Sequence, residues 1–159
     1  MLSEMLTETQ IPINEVSERT KILRTLREYL KKQRKKFSDY LFVLDREEAD
    51  IQAGDAEKLL AHTEIEKGII REIYAFQKVI NPLEDMYRAA YPLGEKEIPN
   101  LRHSLSVLQE EVCDRNERNR VILRSKMAEL KEEIRLLRRP GGYGNQFSIP
   151  IPNLLDITT

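Results

Sequence analysis

Apolar residues recur every three or four positions along most of the chain, which predicts long amphipathic helices. The clearest run lies between 98 and 138, and no glycine interrupts it. Its apolar positions are Leu101, Leu105, Leu108, Val112, Leu123, Met127, Leu130, Ile134 and Leu137. A helix of this length would be about 60 Å long. It cannot bury its apolar stripe against itself, so other helices or a partner must cover the stripe.

A turn at Gly54 and Asp55 separates two further periodic runs. Gly54 can adopt the left-handed conformation that ends a helix, and the Asp55 side chain can cap the next one. The sequence therefore predicts helices over about 15–52 and 56–80. So short a connection makes two neighbouring helices antiparallel.

The Asn81-Pro82 pair predicts either a kink in the second helix or the start of a new one. Proline inside a helix costs about 3 kcal/mol, whereas asparagine followed by proline suits a helix start. We therefore expect a short extra helix over 82–90, a loop after it, and the long third helix over about 98–138.

Together these patterns predict an all-α protein, an elongated antiparallel helical bundle or coiled coil of three main helices. The bundle is expected to form a single domain over 1–139. Beyond it, glycines and an Ile-Pro-Ile-Pro run predict a flexible, non-helical C-terminal tail over 140–159.

Composition narrows the class of protein further. Charged residues make up 33% of the 159 positions, and the 26 basic and 27 acidic residues nearly balance, which argues against a general nucleic-acid binder. No apolar run reaches the roughly 18 residues that a membrane-spanning helix needs. The single cysteine, Cys113, excludes a disulfide within the chain. These features favour a cytoplasmic protein that does not insert into membranes.

The sequence offers little material for catalysis or metal binding. His62 and Glu66 lie one helical turn apart, but a zinc or di-iron site needs more donors than the chain supplies at matching spacing. We interpret them as a surface pair, and Cys113 as a small half-buried hydrophobe. We therefore predict no enzymatic activity, no cofactor and no metal.

Asn116 and Asn119 interrupt the apolar stripe of the third helix and lie on one side of it. A buried amide without a partner costs about 1–3 kcal/mol, although a polar residue in such a seam can fix the register of the helices. The two asparagines either serve that purpose or lie at a rim in contact with water.

The order of several short motifs resembles the FlgN family of flagellar export chaperones. The motif residues are Gly54, Asp55, Glu66, Lys67, Asn116, Asn119 and Tyr143. The resemblance covers roughly residues 23–143. It implies a cytoplasmic chaperone that shields the C-terminal helical segments of hook-filament junction proteins and delivers them to the membrane-embedded flagellar export gate.

The same resemblance assigns roles to residues near the end of the third helix. The client-binding stripe would consist of Leu123, Met127, Leu130, Ile134 and Leu137, and Tyr143 would dock at the export gate. The alternative is a coiled-coil structural or adaptor protein, homodimeric through the same stripe, with no role in export. Whether the chaperone itself is a monomer or a homodimer stays open.

Overall fold

A computed structural model of the protein describes residues 13–138. These residues form three α-helices, and no strand occurs among them: α1 (Ile13–Ala53), α2 (Ala56–Ala90) and α3 (Glu97–Leu137). The prediction of an all-α helical bundle with three main helices is confirmed. The predicted flexible tail over 140–159 lies outside the described residues.

The turn between α1 and α2 lies where the sequence predicts it. Gly54 has φ = 71°, a conformation that glycine adopts without a Cβ clash, and its N–H donates to the Ile51 carbonyl at 3.1 Å. Asp55 Oδ1 accepts from the backbone N–H of Lys58 at 3.1 Å and so caps the first turn of α2.

The predicted separate helix over 82–90 is wrong. The helix α2 continues through Pro82. Ile80 before the proline and Tyr87 after it are both buried in the same core cluster, and burial of such side chains offsets the cost of the proline. The Asn81 side chain does not cap a new helix, because it accepts from Gln77 at 2.6 Å.

Contacts among the described residues cluster into two compact units. Of the described residues, unit 1 consists of 13–38 and 69–109, and unit 2 consists of 39–68 and 110–138. Segments of all three helices contribute to each unit. The single domain predicted over 1–139 stays a prediction.

Unit 1 has a predominantly apolar core. Its buried residues are Leu26, Leu30, Ile80, Tyr87, Ile98, Leu101 and Leu105. The one buried amide in this unit, Gln33, donates to Gln77 Oε1 at 2.9 Å and to the Ile73 carbonyl at 3.4 Å. A satisfied polar side chain of this kind costs little and keeps α1 and α2 in one register.

Unit 2 combines apolar and polar residues in its core. The buried apolar side chains are Tyr40, Leu44, Ile51 and Val112, and the buried polar ones are Glu47, Glu66, Asn116 and Asn119. Four buried polar side chains in so small a unit call for an account of their hydrogen bonds.

Candidate functional site

The last turns of α3 are the most exposed apolar part of that helix. Leu130 is 49% exposed, Ile134 42% and Leu137 82%. Leu123 and Met127, one and two turns earlier, are half-buried. Every residue from 128 to 138 is exposed. The five residues predicted to bind a client therefore lie on one face of α3. The last three of them are exposed to solvent, and the first two are half-buried.

Ion pairs between α1 and α3 report the register of the two helices in unit 2. Arg115 pairs with Asp45, and Arg118 Nη2 lies 3.4 Å from Glu48 Oε1. The partners in each pair are 70 residues apart, so both helices advance in the same direction and in step.

This register explains why the end of α3 is exposed. The helix α1 ends at Ala53, and the same offset places that end level with Leu123. About 14 residues of α3 follow, a length of about 21 Å at 1.5 Å per residue. No segment of α1 accompanies them, and α2 turns back from the same level at Ala56.

An uncovered helical end of this kind has little support of its own. Isolated helices shorter than about 12–15 residues are marginal in water. In this segment Arg135 pairs with Glu132 at 2.8 Å and Lys126 with Glu129 at 3.7 Å, contacts that contribute only a few tenths of a kcal/mol each. A partner that covers the stripe would therefore also stabilise the helix.

A buried polar layer lies just before the uncovered segment. Asn119 is 1% exposed, and its Nδ2 donates to the Leu44 carbonyl at 2.9 Å and lies 3.5 Å from Glu47 Oε1. Asn116 is buried as well. The sequence left open whether the two asparagines lie in the seam or at a rim in contact with water. Both lie in the core, and Asn119 links α3 to α1.

The layer also contains a pair of buried carboxyl groups, Glu47 on α1 and Glu66 on α2. Burial of Glu66, the hydrogen bond that its protonated form makes with Glu47 and the charge of Glu47 together raise the pKa of Glu66 from 4.5 to about 9. If both groups were ionised, Glu47 Oε2 and both oxygens of Glu66 would lack a donor. A proton on Glu66 supplies that donor, so the neutral acid joins α2 to α1 at neutral pH.

The buried pair corrects the interpretation of His62 and Glu66 as a surface pair. Glu66 is inaccessible to solvent, and His62 is half-buried and pairs with Asp50 on α1. Tyr40 lies close to the carboxyl pair, and burial together with these acidic groups raises its pKa. Lys67, the neighbour of Glu66 in the family motif, is exposed and pairs with Glu64 at 3.3 Å.

Other candidates from the sequence are distributed differently. Cys113 is exposed rather than half-buried, because the residue that α3 turns toward the core at this level is Val112. Among residues 13–138 no group of three or more His, Cys, Asp or Glu side chains could hold a metal ion. Tyr143, predicted to dock at the export gate, lies outside the described residues.

Sequence reasoning missed an open apolar cavity of about 660 Å³ in unit 1. Its lining includes Ile22 from α1, Met86 from α2 and Leu93 from the α2–α3 connection. Leu93 is fully exposed and lies in a connection that contains a proline. It belongs to no helical repeat, so the apolar spacing of the sequence does not reveal the cavity. In the described part of the chain, no helix contains a stretch long and apolar enough to cross a membrane.

Comparison with known proteins identifies one similar chain of substantial coverage. An uncharacterized protein from Treponema pallidum (strain Nichols) is 35% identical over 128 residues, which cover 80% of this chain and 82% of the relative. No protein-family model matches the sequence. No solved structure matches it either.

Proposed function

Because this chain belongs to the same family as the uncharacterized Treponema protein, whose name carries no activity, we propose a function from the geometry of α3. The protein is a non-enzymatic cytoplasmic chaperone of the FlgN type. It binds the C-terminal helical segments of hook-filament junction proteins and delivers them to the flagellar type III export gate.

The observation that carries the proposal is the uncovered stripe at the end of α3. An amphipathic helix laid along an exposed apolar face is a common mode of protein recognition. Full burial of a leucine or isoleucine stabilises a complex by about 1.5–3 kcal/mol. Burial of Leu130, Ile134 and Leu137 can therefore offset much of the free-energy cost of association. The flexible side chain of Met127 adapts to clients of different shape.

A co-expression experiment tests the proposal. The chain is produced together with hook-filament junction proteins and purified through a tag on the chain. A soluble one-to-one complex is expected. Ile134→Asp should abolish the complex while circular dichroism stays unchanged, because Ile134 lies on the stripe and outside the core.

Leu136→Asp is the matched control. Leu136 is 72% exposed on the same helix, but it lies away from the stripe. The complex should survive this substitution. Loss of the complex with both variants, or unfolding of the isolated Ile134→Asp protein, would contradict the assignment of the stripe.

Tyr143 is proposed to act after client binding, at the export gate. Tyr143→Ala should therefore leave the co-purified complex intact and reduce secretion of the junction proteins into the medium. Unchanged secretion would remove Tyr143 from the proposal without affecting the stripe.

The second candidate function is a coiled-coil adaptor that dimerises through the same stripe. The exposure of Leu130 and Ile134 is the observation that favours it, since a second copy could also bury them. Sedimentation equilibrium of the isolated protein separates the candidates. A dimer that Ile134→Asp converts to a monomer would support the adaptor.

A further inference from the structure

The uncovered stripe of α3 has one basic edge. Written as heptads, the stripe occupies positions a (Met127, Ile134) and d (Leu123, Leu130, Leu137). Position e, directly beside it, is occupied in two consecutive heptads by Arg124 and Lys131, and Arg138 continues the spacing just after the last helical residue. The opposite edge, position g, carries one charge of each sign, on Lys126 and Glu133.

Two of the three basic residues on this edge are not neutralised by acidic residues in the described part of the chain. Arg124 and Lys131 are exposed, and neither makes an ion pair or hydrogen bond with another described residue. Nearby acidic side chains are engaged elsewhere: Glu129 pairs with Lys126 on the other edge, and Glu132 pairs with Arg135. Two cations at heptad spacing, about 10 Å apart along the helix, therefore flank the apolar face.

This arrangement disfavours a second copy of the chain as the occupant of the stripe. In an antiparallel pair related by a two-fold axis, the e edges meet each other, so Arg124 and Lys131 would face basic residues. In a parallel pair the e edge meets the g edge, where Lys126 repels and Glu133 attracts. Neither arrangement offers a net electrostatic gain.

We infer that the occupant is a foreign amphipathic helix with acidic residues at heptad spacing along the edge that meets Arg124 and Lys131. This inference rests on the proposed function, since it specifies the helix that the stripe accepts. Charges at the rim of an apolar contact select the partner and its orientation, whereas the apolar residues supply most of the affinity.

Two synthetic helical peptides test the inference. Both have about 20 residues with leucine at every a and d position, and they differ only at the e and g positions, which are glutamate in one peptide and lysine in the other. Binding of each labelled peptide to the full-length chain is measured by fluorescence anisotropy at low salt. The glutamate peptide should bind at least about tenfold more tightly, and added salt should reduce the difference.

A charge reversal on the protein sharpens the test. Arg124→Glu combined with Lys131→Glu should reverse the preference, so that the lysine peptide binds more tightly. Lys21→Glu combined with Lys78→Glu is the matched control, because it changes the net charge equally at exposed positions of unit 1. The control should keep the preference of the wild type.

The outcomes separate the inference from the proposed function. Equal binding of both peptides, abolished by Ile134→Asp, would overturn the acidic partner and leave the helix-binding stripe in place. A reversed preference in the control variant would also overturn the inference, because the effect would then come from net charge. Failure of both peptides to bind would overturn the stripe itself as a helix-binding surface.

Discussion

The two ends of α3 carry the same apolar spacing and meet opposite environments. Near its start, Ile98 is inaccessible to solvent and Leu105 is 6% exposed, in the core cluster of unit 1. Near its end, Ile134 is 42% and Leu137 82% exposed. The periodicity of α3 alone does not distinguish the two ends. What differs is the presence of neighbouring helices, since the register in unit 2 ends α1 level with Leu123.

The buried polar layer between the two ends is a third kind of environment for α3. At Asn119 the helix still has neighbours, but it meets them through an amide, a carboxyl pair and a backbone carbonyl. Polar contacts of this kind fix register at a cost in stability. The buried layer therefore marks the point along α3 after which the register leaves the stripe uncovered.

The largest expected effect separates the buried end of α3 from the exposed end. Ile98→Ala should lower the free energy of unfolding by about 2–5 kcal/mol, because it leaves a cavity in the core of unit 1. The same substitution at Ile134 should change it by no more than about 0.5 kcal/mol. Urea denaturation followed by circular dichroism measures both. Equal losses would mean that the end of α3 is core.

A second prediction concerns the carboxyl pair of the polar layer. In the unfolded chain Glu66 ionises near pH 4.5, whereas in the folded protein it keeps its proton up to about pH 9. The folded state binds the extra proton in this window. The Glu66 contribution to stability is therefore fully present below about pH 4.5 and falls as pH rises, by at most about 1.4 kcal/mol per pH unit.

Glu66→Gln isolates this effect from the titration of other groups. The glutamine amide donates to Glu47 as the protonated acid does, but it does not titrate. The stability difference between the variant and the wild type, from urea melts, should grow in favour of the variant between about pH 5 and about pH 8. Parallel pH profiles for the two proteins would show that Glu66 is ionised in the folded state.

The smallest expected effect comes from the ion pairs that report the register. Arg118→Ala should cost about 0.2–1 kcal/mol, because the Arg118 side chain is 59% exposed and salt screens its pair with Glu48. The loss should shrink at high salt in urea melts. A loss of several kcal/mol would mean that the ion pairs, and not the buried layer, hold α3 in place beside α1.

Local chemistry allowed much of the fold to be predicted from the sequence. The turn at Gly54 and Asp55 needs only a left-handed residue and a cap, and both are visible in the letters. The separate helix after Pro82 was predicted wrongly because the free energy gained by burying Ile80 and Tyr87 depends on the packed core. The cost of proline in a helix, taken alone, does not include that gain.

The candidate site could be predicted only in part, because some of its features depend on local spacing and others on the packed neighbours. The stripe that ends in Leu130, Ile134 and Leu137 follows from its spacing. The burial of Glu66 and Asn119 does not, because a polar residue in a seam fits a rim as well as a core until its neighbours are known. The seven-residue spacing of Arg124 and Lys131 can be seen in the sequence. Their role as a basic edge depends on their having no ion partner among the described residues, which only the structure shows.

Hydrogen exchange of the isolated chain distinguishes an uncovered end of α3 from one that is buried like its start. Amides over 124–138 should exchange with little protection, as in a fraying helix end. Amides over 98–112 should show protection that corresponds to nearly the full free energy of unfolding. Equal protection of the two segments would contradict the account, since the stripe would then already be covered within the free protein.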